Sequence, residues 1–233
     1  MENRRGAIAM RAVCFDFDGV LVNSEPLHFH ALRDALAPEG IVIGKDDYLR
    51  WYLAYDDREA IRLALERHGR AFERSRVQGI AERKAAAFEE SLKHVPFFPG
   101  ARELVRALAH EVPLAIVSGA LRGEIEAILA SGGLADAFRT IVGAEDVRQG
   151  KPHPEPYLTG LARLEPLAQG LEAGDCLVFE DSMAGIASAR AAGMKVVGVA
   201  HSYPADKLSA AHLVIDTLAD ARLESLRALF LRC

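Results

Sequence analysis

The stretch Val13 to Val20 reads VCFDFDGV and sets two aspartates, Asp16 and Asp18, at the end of an apolar run. An unpaired charge inside a core is strongly disfavoured, so two acids there need a purpose. The pattern recurs along the chain. Ser118 and Gly119 follow PLAIV, Lys151 lies in a loop beyond TIVG, and Glu180 with Asp181 closes CLVFED. In an open parallel sheet, ligands bind beyond the carboxyl ends of the strands, so these residues are expected to share one crevice. Four carboxylates there would repel one another. At a spacing of about 5 Å and an effective dielectric near 20, each like-charge pair costs roughly 3 kcal/mol. Either some protonate or a cation sits among them, and an all-oxygen set suits a hard ion such as Mg2+ better than zinc. With an adjacent lysine and serine, such a set binds an anion, and phosphate is the obvious one.

The elements that must position these residues are legible as short apolar runs: AVCF (12–15), PLAIVSG (113–119), TIVG (140–143), CLVFE (176–180), KVVGVA (195–200) and HLVID (212–216). They read as strands buried on both faces, and they alternate with helical periods. In 121–131, Leu121, Ile125, Ile128 and Leu129 recur on one face. Such alternation predicts an α/β fold with a doubly wound, mostly parallel sheet. From Pro26 to about Val95 the alternation stops, and patterns such as Ile61, Ala64, Leu65 and His68 predict helices only. That stretch is too long for a loop, so a helical insertion is expected at 25–95, with 1–24 and 96–233 forming the α/β part. PFFPG (96–100) marks the return to the sheet.

Composition narrows the class. The chain has 233 residues, half of them hydrophobic, with 28 basic against 33 acidic side chains and a net charge of -5. A chain of this size buries roughly 70% of its unfolded surface and needs no disulfide. Cys14 and Cys176 lie in strand-like runs and Cys233 is the last residue, a spacing that suits neither a metal site nor a secreted scaffold. A cytoplasmic home is expected. MENRRGAIAM has too short an apolar run for a signal peptide or membrane span and reads as a frayed tail. Without a Lys/Arg block, neither nucleic acid nor a membrane surface is an expected partner. No long heptad argues for a coiled coil, and a monomer or weak homodimer is expected.

Two nucleophile or phosphate classes fail on spacing. GAEDVRQGKP lacks both the glycine spacing and the Ser/Thr of a P-loop, and IVSGA lacks the glycine two residues before the serine of a nucleophile elbow.

Taken together, D-x-D-G-V after the first run, Ser118 after the second, Lys151 in GKPHPEPYL and the acidic pair in VFEDSMAGI resemble the four motifs of the haloacid dehalogenase-like hydrolase superfamily. The insertion directly after the first motif resembles the helical cap of the subgroup that includes β-phosphoglucomutase and phosphoglycolate phosphatase-like enzymes. DGVLVNSEPLH is similar to that subgroup, although Asn23 stands where many members carry Asp.

The resemblance implies a Mg2+-dependent phosphatase acting on a small phosphate ester, a sugar phosphate or phosphoglycolate-like metabolite, through an aspartyl phosphate. Asp16 is the implied nucleophile and Asp18 the general acid and base. Asp16, the Asp18 backbone carbonyl, Asp181 and Glu180 are the implied Mg2+ set, with Glu180 direct or through water. Ser118 and Lys151 would hold the phosphoryl oxygens, and Gly119 and Ala120 are implied substrate-binding positions beside Ser118. Dehalogenases of the superfamily usually lack the second aspartate, so Asp18 points to phosphoryl transfer. A sugar phosphomutase is the alternative enzyme. A receiver-type signalling module shares the phospho-accepting chemistry but is about half this length and has no cap. Within the cap, Val77, Ile80, Ala81, Lys84, Ala85, Phe88 and Leu92 trace one helix face. Lys84 either snorkels from that stripe or contacts substrate. His28 and Arg58 match substrate-binding positions of similar proteins. Ser182 also suits a helix N-cap, and His153 reads as a surface residue.

Overall fold

The structure is a computed structural model that describes residues 9–53 and 55–231. Most of the expected frayed tail, and Cys233, lie outside the described residues. The chain divides into two compact units, one formed by Ser24–Val95 and the other by the residues before and after that segment.

The Ser24–Val95 unit is helical. It contains α1 (Glu25–Leu36), α2 (Lys45–Trp51), α3 (Asp57–Arg67) and α4 (Arg74–Ser91). Asp56 caps α3 by accepting from the amides of Arg58 and Glu59, a pairing that satisfies otherwise orphaned donors. Leu32, Leu36, Ile41, Ile61, Leu65 and Ile80 make its core. On α4 the buried positions are Ile80, Lys84 and Phe88, spaced four apart, and the expected apolar face is narrower than its sequence suggests because Ala85 is exposed. His68 also departs from expectation. It ends α3 as the C-cap and is exposed, since the helix stops before its period would turn it inward.

The second unit is a six-stranded parallel sheet, β1 (Ala12–Phe15), β2 (Leu114–Val117), β3 (Thr140–Val142), β4 (Cys176–Glu180), β5 (Lys195–Val199) and β6 (Leu213–Ile215), in the order β3-β2-β1-β4-β5-β6. Helices α5 (Ala101–Ala109), α6 (Arg122–Gly132), α7 (Glu155–Leu164), α8 (Met183–Ala191) and α9 (Leu223–Ala228) complete it among the described residues. Strands β1, β2 and β4 are wholly buried, as continuous Val/Ile/Leu/Phe runs require when helices cover both faces. The sixth run departs from the expected burial on both faces: as the edge strand, β6 is only half-buried. Leu121 likewise does not join the buried face of α6. It is the N-cap, 52% exposed, and the helix begins one residue later. No helix among the described residues is long and apolar enough to cross a membrane.

Candidate active site

Strand order supplies the site's location. Chain connection runs outward from β1 to β2 and β3 on one side and resumes with β4, β5 and β6 on the other, so the switch point lies between β1 and β4. Phe15 pairs with Phe179, and the Asp16 amide donates to the Phe179 carbonyl at 2.9 Å. Parallel register therefore brings Asp16 and Glu180 side by side as each strand ends. Ser118 leaves β2 with its amide bonded to the Val142 carbonyl.

Lys151 reaches into the same place. Its Nζ donates to Asp16 Oδ1 at 2.5 Å, to Glu180 Oε1 at 2.6 Å and to the Val117 carbonyl at 3.0 Å. This is not the solvated loop lysine that is the default for the residue type. Burial works against its ammonium, yet Asp16 and Glu180 outweigh that cost and hold its pKa above the ordinary lysine value. The loop carrying it is pinned from three sides: Glu155 accepts from the amides of Arg148 and Gln149, Ser188 Oγ donates to the His153 carbonyl, and the His153 amide returns to Gly150. His153 itself is exposed, as expected.

Glu180 has no solvent exposure. Oε1 accepts from Lys151 and from the Tyr157 hydroxyl at 2.9 Å, and Oε2 from the Asp181 amide, the Ser182 amide and the Ser182 hydroxyl. Ser182 also caps α8 by accepting from Gly185, so its capping and its service to Glu180 coexist. Asp181 accepts from the Ser202 hydroxyl. Burial, opposed by that hydrogen bond and reinforced by the Glu180 charge, pushes its pKa up to about 6. Asp16 is raised well above the usual carboxylate range by burial, with Lys151 acting against the shift.

Single ligand atoms of Asp16, Glu180 and Asp181 lie within 4.8 Å of one another. The sequence suggested four converging carboxylates; this group has three, with Asp18 half-buried two residues beyond Asp16. The donor set fits a hard divalent cation, because every ligand is oxygen and two of the acids resist ionising together without a neutralising charge. Among the described residues, the side-chain hydrogen bonding of Asp16 is confined to Oδ1. Close approach demands glycine here. Gly19 has φ +78°, and a Cβ on it would strike the Asp181 carboxylate; a Cβ on Gly185 would strike that of Glu180.

Ser118 Oγ accepts from the Ala120 amide at 3.1 Å, and Gly119 is exposed beside it. In the helical unit, Lys84 is 3% exposed, bonded to Asp57 Oδ1 at 2.6 Å and to His28 Nδ1 at 3.0 Å, so it does not snorkel. Arg58 stands apart from that pair. It bonds to Gln78 and lines another cavity, with Arg62 and Phe72.

Sequence reading missed Tyr157, Gly185, His201, whose Nδ1 lies 2.9 Å from the Gly19 carbonyl, and Ser202. His201 and Ser202 follow β5, and the rule that ligands gather beyond strand ends applied to that strand would have found them. Tyr157 carried no such signal, being one more apolar-face residue of α7.

Residues 13–199 match the model of a family described as haloacid dehalogenase-like hydrolase. Protein CbbY of Rhodobacter capsulatus is 32% identical over 226 residues, covering 93% of this chain and 97% of its own. A phosphoglycolate phosphatase of Pectobacterium atrosepticum is 30% identical, with 91% of each chain covered. The crystal structure of a β-phosphoglucomutase from Clostridium difficile has a TM-score of 0.72 at 24% identity, covering 95% of this chain and 97% of that one, a likeness of fold.

Proposed function

This chain belongs to the haloacid dehalogenase-like hydrolases, and from that premise we propose that it is a Mg2+-dependent phosphatase for a small phosphorylated metabolite, working through an aspartyl phosphate. The observation that carries the reading is the buried Asp16 held by Lys151 among carboxylates where β1 and β4 end. Asp16, with one oxygen held by Lys151, attacks phosphorus through the other. The ester P–O bond breaks, and Asp18 gives its proton to the leaving alkoxide. Asp18 then takes a proton from water, whose oxygen attacks phosphorus and releases phosphate and the Asp16 carboxylate. Ser118 and Lys151 hold the phosphoryl oxygens.

A bound Mg2+ would supply charge neutralisation, held by Asp16, the Asp18 carbonyl and Asp181, with Glu180 acting through water. The hydrogen bonds on Glu180 support that last assignment, since both of its oxygens already serve protein donors. Residues 24–95 would act as the cap that chooses the alcohol, and the relatives named as phosphatases support hydrolysis over mutase chemistry. A cytoplasmic setting, a small-molecule ester as ligand and a monomer or weak homodimer belong to the same reading.

Phosphorus NMR tests it. Protein with Mg2+ and a panel of phosphorylated C2 to C6 metabolites, β-glucose 1-phosphate included, is compared with Asp16→Asn. Growth of inorganic phosphate, abolished in the variant, is expected. Glucose 6-phosphate without free phosphate would make the protein a mutase, and full activity in Asp16→Asn would overturn the mechanism.

A further inference from the structure

The turn that follows β1 carries Asp18, and backbone bonds give it its shape. The Gly19 amide donates to the Val22 carbonyl at 2.9 Å, while the Leu21 and Val22 amides donate back to the Phe17 carbonyl at 2.9 and 3.2 Å. Gly19, at φ +78°, reverses the chain between them. The Gly19 amide bond holds the peptide plane that contains the Asp18 carbonyl. The next plane ends in the Gly19 carbonyl, and there the partner is His201, whose Nδ1 lies 2.9 Å away. A carbonyl oxygen only accepts, so Nδ1 carries the proton in this pair.

His201 is itself held in place. The Ala200 amide donates to the Ile215 carbonyl of β6, and the His201 amide to the Val199 carbonyl, both at 2.9 Å. Its ring is half-buried and stacks on Phe98, with centroids 3.8 Å apart and planes at 19°. Phe98 in turn donates its amide to the Leu21 carbonyl at 3.0 Å, and Val22 bridges to Phe97. One imidazole therefore meets the Gly19 turn with its edge and the returning chain at Phe98 with its face.

We propose that His201 is a positioning residue for Asp18: it locks the Gly19 carbonyl to the loop after β5 and so fixes the direction from which Asp18 protonates the leaving oxygen. This rests on the phosphatase reading, in which Asp18 is the acid. A positioned general acid contributes about 10² to 10⁴ in rate, and a misplacement of about 1 Å can cost about 10². How much the proton matters depends on the leaving group. Nitrophenolate is stable enough to depart without one, whereas phenolate, as basic as a tyrosinate with a pKa of about 10, departs far faster with one.

The test uses the full chain with Mg2+ and compares kcat/KM for p-nitrophenyl phosphate and phenyl phosphate, since kcat/KM covers the transfer to Asp16 in which the leaving oxygen is protonated. His201→Phe keeps a ring against Phe98 and removes the donor. It should lower kcat/KM at least about tenfold for the phenyl ester and less than about threefold for the nitrophenyl ester. His201→Leu carries the same expectation should the first variant fold poorly. His201→Asn places an amide donor near the position of Nδ1 and should return the phenyl ester to within about threefold of the parent. In EDTA, amide exchange at Gly19 followed by NMR should quicken at least about fivefold in His201→Phe, with Val178, buried in the middle of β4, within about twofold. A merely weakened fold would speed both. An equal loss on the two esters, no loss on either, no recovery in His201→Asn or unaltered exchange at Gly19 overturns the inference; parent turnover that Asp16→Asn abolishes then leaves the phosphatase reading standing. A parent that hydrolyses the nitrophenyl ester alone also overturns it, because no acid is then in place. Release of phosphate from neither ester removes the reading and the inference together.

Discussion

Removing one oxygen from Tyr157 isolates the tie between the buried phenol and Glu180 of the carboxylate cluster. Tyr157→Phe keeps the ring, which is fully buried and lies 5.1 Å by its centroid from Lys151 Nζ, and leaves the packing of α7 intact. It deletes the hydrogen bond to Glu180 Oε1, leaving Lys151 as the remaining donor to that oxygen. A hydrogen bond to a charged group contributes about 1.5 to 3 kcal/mol, and in a chain of roughly this size each kcal/mol moves the melting temperature about 2 to 4 °C. The metal-free variant should therefore melt roughly 3 to 12 °C lower. Because Glu180 Oε1 also sets the position of Lys151, a loosened carboxylate should lower kcat by about five- to a hundredfold with KM within threefold, the pattern of an interaction that matters most in the transition state. The assay is a thermal melt in EDTA beside steady-state kinetics on the best ester. A melting temperature within 1 °C of the parent and kcat within twofold would refute the reasoning.

Gly185→Ala sets two effects against each other. Alanine in a helix is ordinarily worth up to about 1 kcal/mol over glycine, but here its Cβ would strike the Glu180 carboxylate, and overpacking costs about 1 to 3 kcal/mol; a thermal melt should show a net loss of stability, and a gain would contradict the crowded geometry. Metal binding should be pH-dependent with a definite sign. Asp181, its pKa pushed up to about 6, is protonated below that pH and must lose the proton to serve as a ligand, so Mg2+ affinity by calorimetry should fall as pH drops through about 6, by up to tenfold per pH unit from this group. Without metal the sign for stability is opposite. The folded state keeps a proton that the unfolded chain releases near pH 4, so the contribution of Asp181 is present at low pH and lost as pH rises from about 4 to 6. Calorimetric affinity that is flat from pH 5 to 7.5 would contradict the assignment.

Periodicity alone determined a good deal about this chain. Six aliphatic runs separated by helical periods allow little besides a parallel sheet covered on both faces, and acids at the ends of such runs can be tolerated only where they serve a ligand. Asp16, Glu180 and Asp181 stood out as candidates for that reason, Ser118 and Lys151 by their places after the second and third runs, and the stretch from Pro26 to Val95 by its lack of a strand pattern. The tertiary structure decided the partnerships. Sequence spacing does not say that Tyr157, 23 residues before Glu180, supplies its buried hydroxyl donor, or that Ser202 serves Asp181, because those contacts arise only when β4, β5 and α7 pack together. Nor could it say that the lysine on the apolar stripe of α4 is bound to Asp57 while Arg58 lies elsewhere. A pattern records which face a residue shares; the free energy of a buried charge depends on which opposite charge three-dimensional packing sets beside it.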